Sequence, residues 1–174
     1  ALQAEIREGR VEKRYLALLQ GRLPTQKIIV DAPLRKFVLQ GGERMVRVED
    51  DGKASRSRFA EVEQFAGATL AEIAIETGRT HQIRVHSAHI GHPVAGDEKY
   101  GDKAFNREMR AFGLKRLFLH AARFEFSIGE KTYGFSAPLP DDLKRVLDAL
   151  SETRRPRESG DPAPSASPRK KASP

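Results

Sequence analysis

The stretch Glu76-Thr77-Gly78-Arg79-Thr80-His81-Gln82-Ile83-Arg84-Val85-His86 concentrates residue types that can do chemistry. Alternating apolar residues before it predict a strand that ends at Gly78, and a helix is expected to start just after Thr80. A helix start leaves backbone N–H groups unpaired at its positive dipole end, which suits a phosphate or a carboxylate. Arg79 stands at that mouth. Arg84 lies about one turn in, where its planar fork can grip a buried carboxylate through two parallel hydrogen bonds. A capped helix with solvated arginines fits the same pattern, and spacing alone does not separate the two.

Four histidines, His81, His86, His89 and His92, crowd the same region, with His120 further on. His86 and His89 share a helix face at i, i+3, which raises the question of zinc. The chain has no cysteine, and a catalytic zinc also needs a further placed ligand and an open coordination position. No metal site is therefore expected, and His81 is read as a helix-start residue that bonds the backbone or a phosphate. The absence of cysteine also excludes disulfides and thiolate nucleophiles, and it fits a reducing, cytoplasmic compartment. No apolar run approaches the roughly 20 residues of a membrane helix, so no membrane partner is expected.

A formal net charge of +7 favours a polyanionic partner. Ser151–Pro174 holds six Lys or Arg against three acids, which is +3 of that total. Its prolines alternate with Ser and Ala and show no apolar period. It is read as a disordered basic tail, because it cannot bury enough surface to offset its ordering entropy.

The elements that must position these residues are mostly strands. Arg14–Leu19 and Lys27–Val30 are short apolar strands, and a turn follows at Ala32-Pro33. Arg44–Val48 and Ser57–Phe65 alternate around Asp50-Asp51-Gly52, which suggests a hairpin between them. Leu70–Glu76 places Ile73 and Ile75 on one face. Leu117–Ile128 alternates with a phase slip at Ala121-Ala122 that marks a bulge, and Thr132–Ser136 returns as its partner. Thr80 is expected to N-cap the first helix, with Gly91 as its left-handed terminator. Asp102 caps a second helix that ends at Gly113. A third begins at Asp141 or Asp142 and carries the stripe Leu143, Val146, Leu147 and Leu150. The pattern predicts an α+β fold with a mixed, largely antiparallel sheet and flanking helices.

The run Gly78–His86, followed by Gly91-His92-Pro93-Val94 and Gly96-Asp97-Glu98-Lys99-Tyr100-Gly101, resembles the signature of RluA-family RNA pseudouridine synthases. Lys13-Arg14-Tyr15-Leu16-Ala17 resembles the family's Lys-x-Tyr-x-Ala strand, and Leu114–Ala121 with Ala137-Pro138 resembles its late strand motif. Gly42–Val48 and Gly52-Lys53-x-Ser55 are most similar to the RluC-type members, which act on 23S rRNA. The resemblance covers about residues 3–150. It implies that residues 1–150 are the C-terminal portion of a pseudouridine synthase catalytic domain, with 151–174 as the tail.

The resemblance also implies roles. Arg84 matches the arginine that pairs with and orients a catalytic aspartate. Tyr15 matches the tyrosine that stacks on the flipped uracil and takes part in proton handling. Ile83 helps to wall the pocket, and Arg79, Thr80, His81, Gln82 and Lys13 contact RNA. The implied partner is large-subunit ribosomal RNA, with no cofactor and a monomeric enzyme. The family's catalytic aspartate sits in an Arg-Leu-Asp-x-x-Thr-Ser-Gly motif, and no aspartate of this chain has that context. Ala1–Ile6 reads as the middle of a helix, so the motif is expected upstream of Ala1 and this chain alone is expected to be inactive. The alternative is a non-catalytic RNA-binding remnant of the same fold.

Overall fold

The computed structural model describes residues 11–128 and 130–154, so the expected helix at Ala1–Ile6 and most of the expected tail lie outside the described residues. The strands are β1 (Val11–Gln20), β2 (Lys27–Asp31), β3 (Leu34–Val38), β4 (Arg44–Val48), β5 (Arg56–Phe65), β6 (Ala68–Ile75), β7 (Leu119–Ile128) and β8 (Lys131–Ser136). The helices are α1 (Gln82–His89), α2 (Lys103–Ala111) and α3 (Asp141–Arg154). Six strands form one sheet in the order β2-β5-β6-β1-β7-β8, while β3 and β4 form a separate ribbon. Every described strand pair is antiparallel, and the α+β class stands.

β1 runs through the middle, which explains its unbroken apolar run from Leu16 to Leu19. Leu18 faces α2 and α3 and packs with Phe105, Met109, Leu143, Val146 and Leu150. Ala17 and Leu19 face the other way, into a cluster with Phe59, Ile73 and Ile83 of α1. A strand buried on both faces cannot alternate with polar residues. Each buried Leu, Ile, Phe or Met among them contributes roughly 1.5–3 kcal/mol when taken out of water. The phase slip in β7 is a bulge: Arg14 opposes Arg123 and Tyr15 opposes Ala121, which leaves Ala122 as the extra residue.

Three expectations need correction. The hairpin between Arg44–Val48 and Ser57–Phe65 does not exist. β4 pairs instead with β3, from Leu34 opposite Val48 to Val38 opposite Arg44, and β5 pairs with β2 and β6. The Asp51-Gly52 turn folds back onto β3: Leu34 and Lys53 exchange backbone hydrogen bonds of 2.9 and 2.8 Å. The approach is so close that a Cβ on Gly52 would meet the Leu34 backbone at 2.7 Å.

Thr80 does not cap α1. The cap position is His81, in the left-handed region at φ 55°, with no side-chain cap bond. The end of that helix is as expected, with Gly91 at φ 79° and bonds from Gly91 N to Ala88 O and from His92 N to Ser87 O. α2 starts at Asp102, whose carboxylate accepts from Phe105 N at 2.7 Å. The third correction is at the tail boundary. α3 runs on through Ser151 to Arg154, and Ser151 Oγ donates to Leu147 O at 2.9 Å.

Candidate active site

α1 carries the site, and two polar side chains fix it to the sheet. His86 is fully buried, with Nδ1 2.9 Å from Ser57 Oγ and Nε2 2.9 Å from Ala32 O. The carbonyl can only accept, so Nε2 holds the proton and Nδ1 accepts from the serine. Burial lowers the imidazole pKa, which agrees with a neutral ring. Both nitrogens are therefore occupied. No group of three or more His, Asp or Glu among the described residues is placed to hold a metal.

Gln82 is the second anchor, and here the sequence reading fails. Its Nε2 donates to Arg56 O and Ser57 Oγ at 2.9 and 3.0 Å. Its Oε1 accepts from Thr77 Oγ1 and Arg79 N at 2.7 and 3.1 Å. With both donors and both acceptor positions used, and 2% exposure, it has nothing to offer RNA. It ties the Thr77–Arg79 turn that precedes α1 to β5.

Arg84, two residues further along, reaches across to Asp97. Nε donates to Oδ2 and Nη2 to Oδ1, both at 2.7 Å, with side-chain exposures of 16% and 1%. The predicted bidentate grip on a buried carboxylate is present within the chain. Burial pushes the Asp97 carboxyl up, but the Arg84 pair and the N–H groups of Tyr100 and Lys99 outweigh it and hold it below the usual range. The hydrogen bond to Asp97 raises the Arg84 pKa in turn.

The Tyr100 ring lies under the guanidinium, 5.0 Å from ring centre to Cζ. Its hydroxyl accepts from Val46 N at 2.9 Å and sits 2.9 Å from His81 Nδ1. His81 thus bonds a tyrosine on the next loop through Nδ1. Burial and the positive charges of Arg84 and Lys99 lower its pKa.

Tyr15 projects from β1 opposite Ile73 and Ala121 and packs against the cluster that contains the buried Ile83. Burial raises its pKa, so the phenol keeps its proton at neutral pH. Lys13 lies two residues away on the same face, and its Nζ is 3.1 Å from where a Cβ on Gly78 would stand. Tyr15, Ile83, Lys13 and the Gly78–Thr80 loop are thus gathered on one side of the sheet.

Beside them opens a groove of about 450 Å³, lined by Arg35, Lys36, Lys53, Gly78, Arg79 and Thr80 among others. Arg79 and Thr80 are exposed within it. Arg35 and Lys36 carry no expectation from the sequence, and Lys53 enters there only within the Gly52-Lys53-x-Ser55 turn. They become neighbours of Arg79 only because β3 pairs with β4 and the Asp51–Lys53 turn folds over it. A free-standing basic strand after Pro33 was the available signal.

The family model for RNA pseudouridylate synthase matches residues 1–89, and the chain belongs to that family. It is 47% identical over 156 residues to the ribosomal large subunit pseudouridine synthase C of Pasteurella multocida, covering 88% of this chain and 48% of that protein. The enzyme of the same description from Escherichia coli K12 is 45% identical over 159 residues, covering 88% and 50%. The chain thus spans about half the length of these relatives, and they bear out the RluC-type resemblance. Among solved structures, human RNA pseudouridylate synthase domain containing 1 superposes with a TM-score of 0.71 at 25% identity, covering 92% of this chain and 71% of that one. The human domain containing 4 gives 0.69 at 22% identity, covering 86% and 66%, which speaks to the fold alone.

Proposed function

We propose that the complete protein isomerises specific uridines to pseudouridine in 23S ribosomal RNA, by base flipping and an aspartate nucleophile. The observation that carries this reading is the placement of Arg84 and Tyr15: a rigidly held guanidinium and an aromatic ring beside a basic groove. The target base must leave its stack before its glycosidic bond is accessible. Stacking on the Tyr15 ring offsets part of that cost, about 1–3 kcal/mol. The aspartate comes from the Arg-Leu-Asp motif implied by the family and absent from this sequence, and Arg84 keeps it ionised and oriented.

The bond from C1′ to N1 breaks, the uracil turns, and C5 bonds to C1′. The C5 proton leaves to solvent and N1 gains one, a transfer in which the protonated Tyr15 phenol takes part. There is no net redox change, and the chemistry calls for no cofactor. Arg79, Thr80 and Lys13 meet RNA phosphates, and His81 contributes through Nε2. The enzyme works as a monomer in the cytoplasm.

The test is tritium release from large-subunit RNA labelled at uridine C5. Arg84→Lys suits it better than an apolar replacement, because lysine keeps a cation beside buried Asp97 but loses the planar fork. In the complete protein this change should lower release by about 100-fold while RNA affinity stays within about threefold. This chain alone should release none. Retained activity in Arg84→Lys would remove the central role. Salt-sensitive binding by the complete protein without any release would favour the RNA-binding remnant.

A further inference from the structure

We propose that Asp97 is a positioning residue: it holds Arg84 by one edge of the guanidinium so that the other edge is presented to a second carboxylate. The proposal rests on the isomerase reading above and assigns to Asp97 a part that the family resemblance does not.

A guanidinium offers five N–H donors in a flat fork. Asp97 takes two of them, Nε–H and one on Nη2, in a side-on grip at 2.7 Å each. Among the described residues Nη1 has no hydrogen-bond partner, and it is not sealed off, since Ser87 Oγ alone is buried without one. Arg84 is therefore half used.

Asp97 is held at both oxygens. Its carboxylate, 1% exposed, accepts from both Arg84 nitrogens and from the backbone N–H groups of Lys99 and Tyr100 at 2.9 and 3.0 Å. Its own carbonyl accepts from Gly101 N at 3.1 Å and from Asn106 Nδ2 at 2.9 Å. Asn106 Oδ1 in turn accepts from Gly96 N at 2.8 Å. The Gly96–Gly101 loop is thus framed by α2, and the carboxylate cannot turn. The Tyr100 ring supports the face of the guanidinium, and the Tyr100 hydroxyl is itself fixed by Val46 and His81. Edge and face of Arg84 are both set before any other partner arrives.

A pair needed only for cohesion would not require this. A buried ion pair gains little over apolar packing of similar shape, whereas fixing a donor to within a fraction of an ångström requires many restraints.

The experiment uses the complete protein in excess over large-subunit RNA tritiated at uridine C5, read as single-turnover release. Rate constant, amplitude and half-saturating protein concentration are compared for wild type and Asp97→Asn. A positioning role lowers the rate constant by about 100-fold, with amplitude and half-saturation within about threefold. A merely structural role raises the half-saturating protein concentration, because fewer molecules are folded, and leaves the rate constant at saturating protein within about twofold; that result overturns the proposal. If Asp97→Asn fails to fold, Asp97→Glu decides by the same criterion, since it keeps the charge but shifts the guanidinium by one methylene. No release by the wild type overturns the isomerase reading and this role with it. Release by a wild type that Asp97 variants match overturns the positioning role alone.

Discussion

At the scale of the residue, His86 shows how partner and protonation are set together. Its ring is buried between Ser57 and Ala32 and fits only as the neutral form with the proton on Nε2. Burial lowers its pKa, and that of His81 moves the same way. In the unfolded chain a histidine takes a proton near pH 6.5, whereas the folded ring resists to lower pH. The unfolded state then binds more protons, so this stabilisation is present above about pH 6.5 and is lost as pH falls below it. Asp97 does not interfere in that window, because its lowered pKa makes its contribution vanish only in more acid solution. The urea midpoint of the chain should be flat from about pH 8 to 7 and fall steadily towards pH 5. His86→Ala should cost about 2–4 kcal/mol and flatten most of that slope. An unchanged midpoint between pH 7 and 5 in the parent chain would contradict the assignment. The sequence could not show this role. Its near neighbours suggested a metal face with His89, whereas its real partners lie 29 and 54 residues away.

At the scale of the element, most of the fold was legible where a local pattern decided the outcome. Strands β1, β6 and β7 follow their apolar runs, the β7 bulge follows its phase slip, and the cap at Asp102 and stops at Gly91 and Gly113 follow backbone chemistry. What stayed hidden depends on pairings at a distance. β3 is a short strand of five residues with only Leu34 fully buried, so its pattern is faint, and the stronger alternation of β5 stands out as a partner for β4 in its place. The start of α1 was hidden for a similar reason, because no side chain caps it and Gln82 instead ties the preceding Thr77–Arg79 turn to Arg56 and Ser57. The Arg84 fork was legible, but its partner Asp97 lies 13 residues away in the Gly96–Gly101 loop, a pairing that spacing along the chain does not show. The loop that joins them makes an element-level prediction. Gly101 sits so close to Asp97 that a Cβ there falls inside the Asp97 carbonyl oxygen and within 3.1 Å of Asn106 Nδ2. Gly101→Ala must displace the Asp97 backbone, and should destabilise the chain by more than about 2 kcal/mol in urea unfolding. Gly91→Ala, with nothing within 4 Å and strain only from φ 79°, should cost about 1 kcal/mol. If the two substitutions cost the same, the close approach at Gly101 is not what shapes the loop.

At the scale of the whole molecule, the net charge of +7 becomes informative only once the fold distributes it. Many cations are already spent on acids: Arg35 meets Glu49 and Asp51, Arg116 meets Asp142, and Arg110 meets Glu98. Lys36, Lys53 and Arg79 have no acidic partner among the described residues, and all three line the groove beside the Tyr15 face. Unpaired cations in a concave surface are the ones that displace counterions from a polyanion. They are the groups expected to grip the RNA backbone around the flipped base. Each phosphate contact contributes about −0.7 to −0.9 to the slope of log affinity against log salt. In the complete protein, Lys36→Glu with Lys53→Glu should therefore weaken binding to large-subunit RNA and reduce the magnitude of that slope by about 2. Both residues are exposed, so the melting temperature should hardly move, which separates lost contacts from lost structure. Reversal at Arg110, already neutralised by Glu98 and remote from the groove lining, should leave the slope unchanged. Equal slopes for all these variants would mean that RNA approaches by another face. The site would then have to receive its base without help from the β3–β4 ribbon.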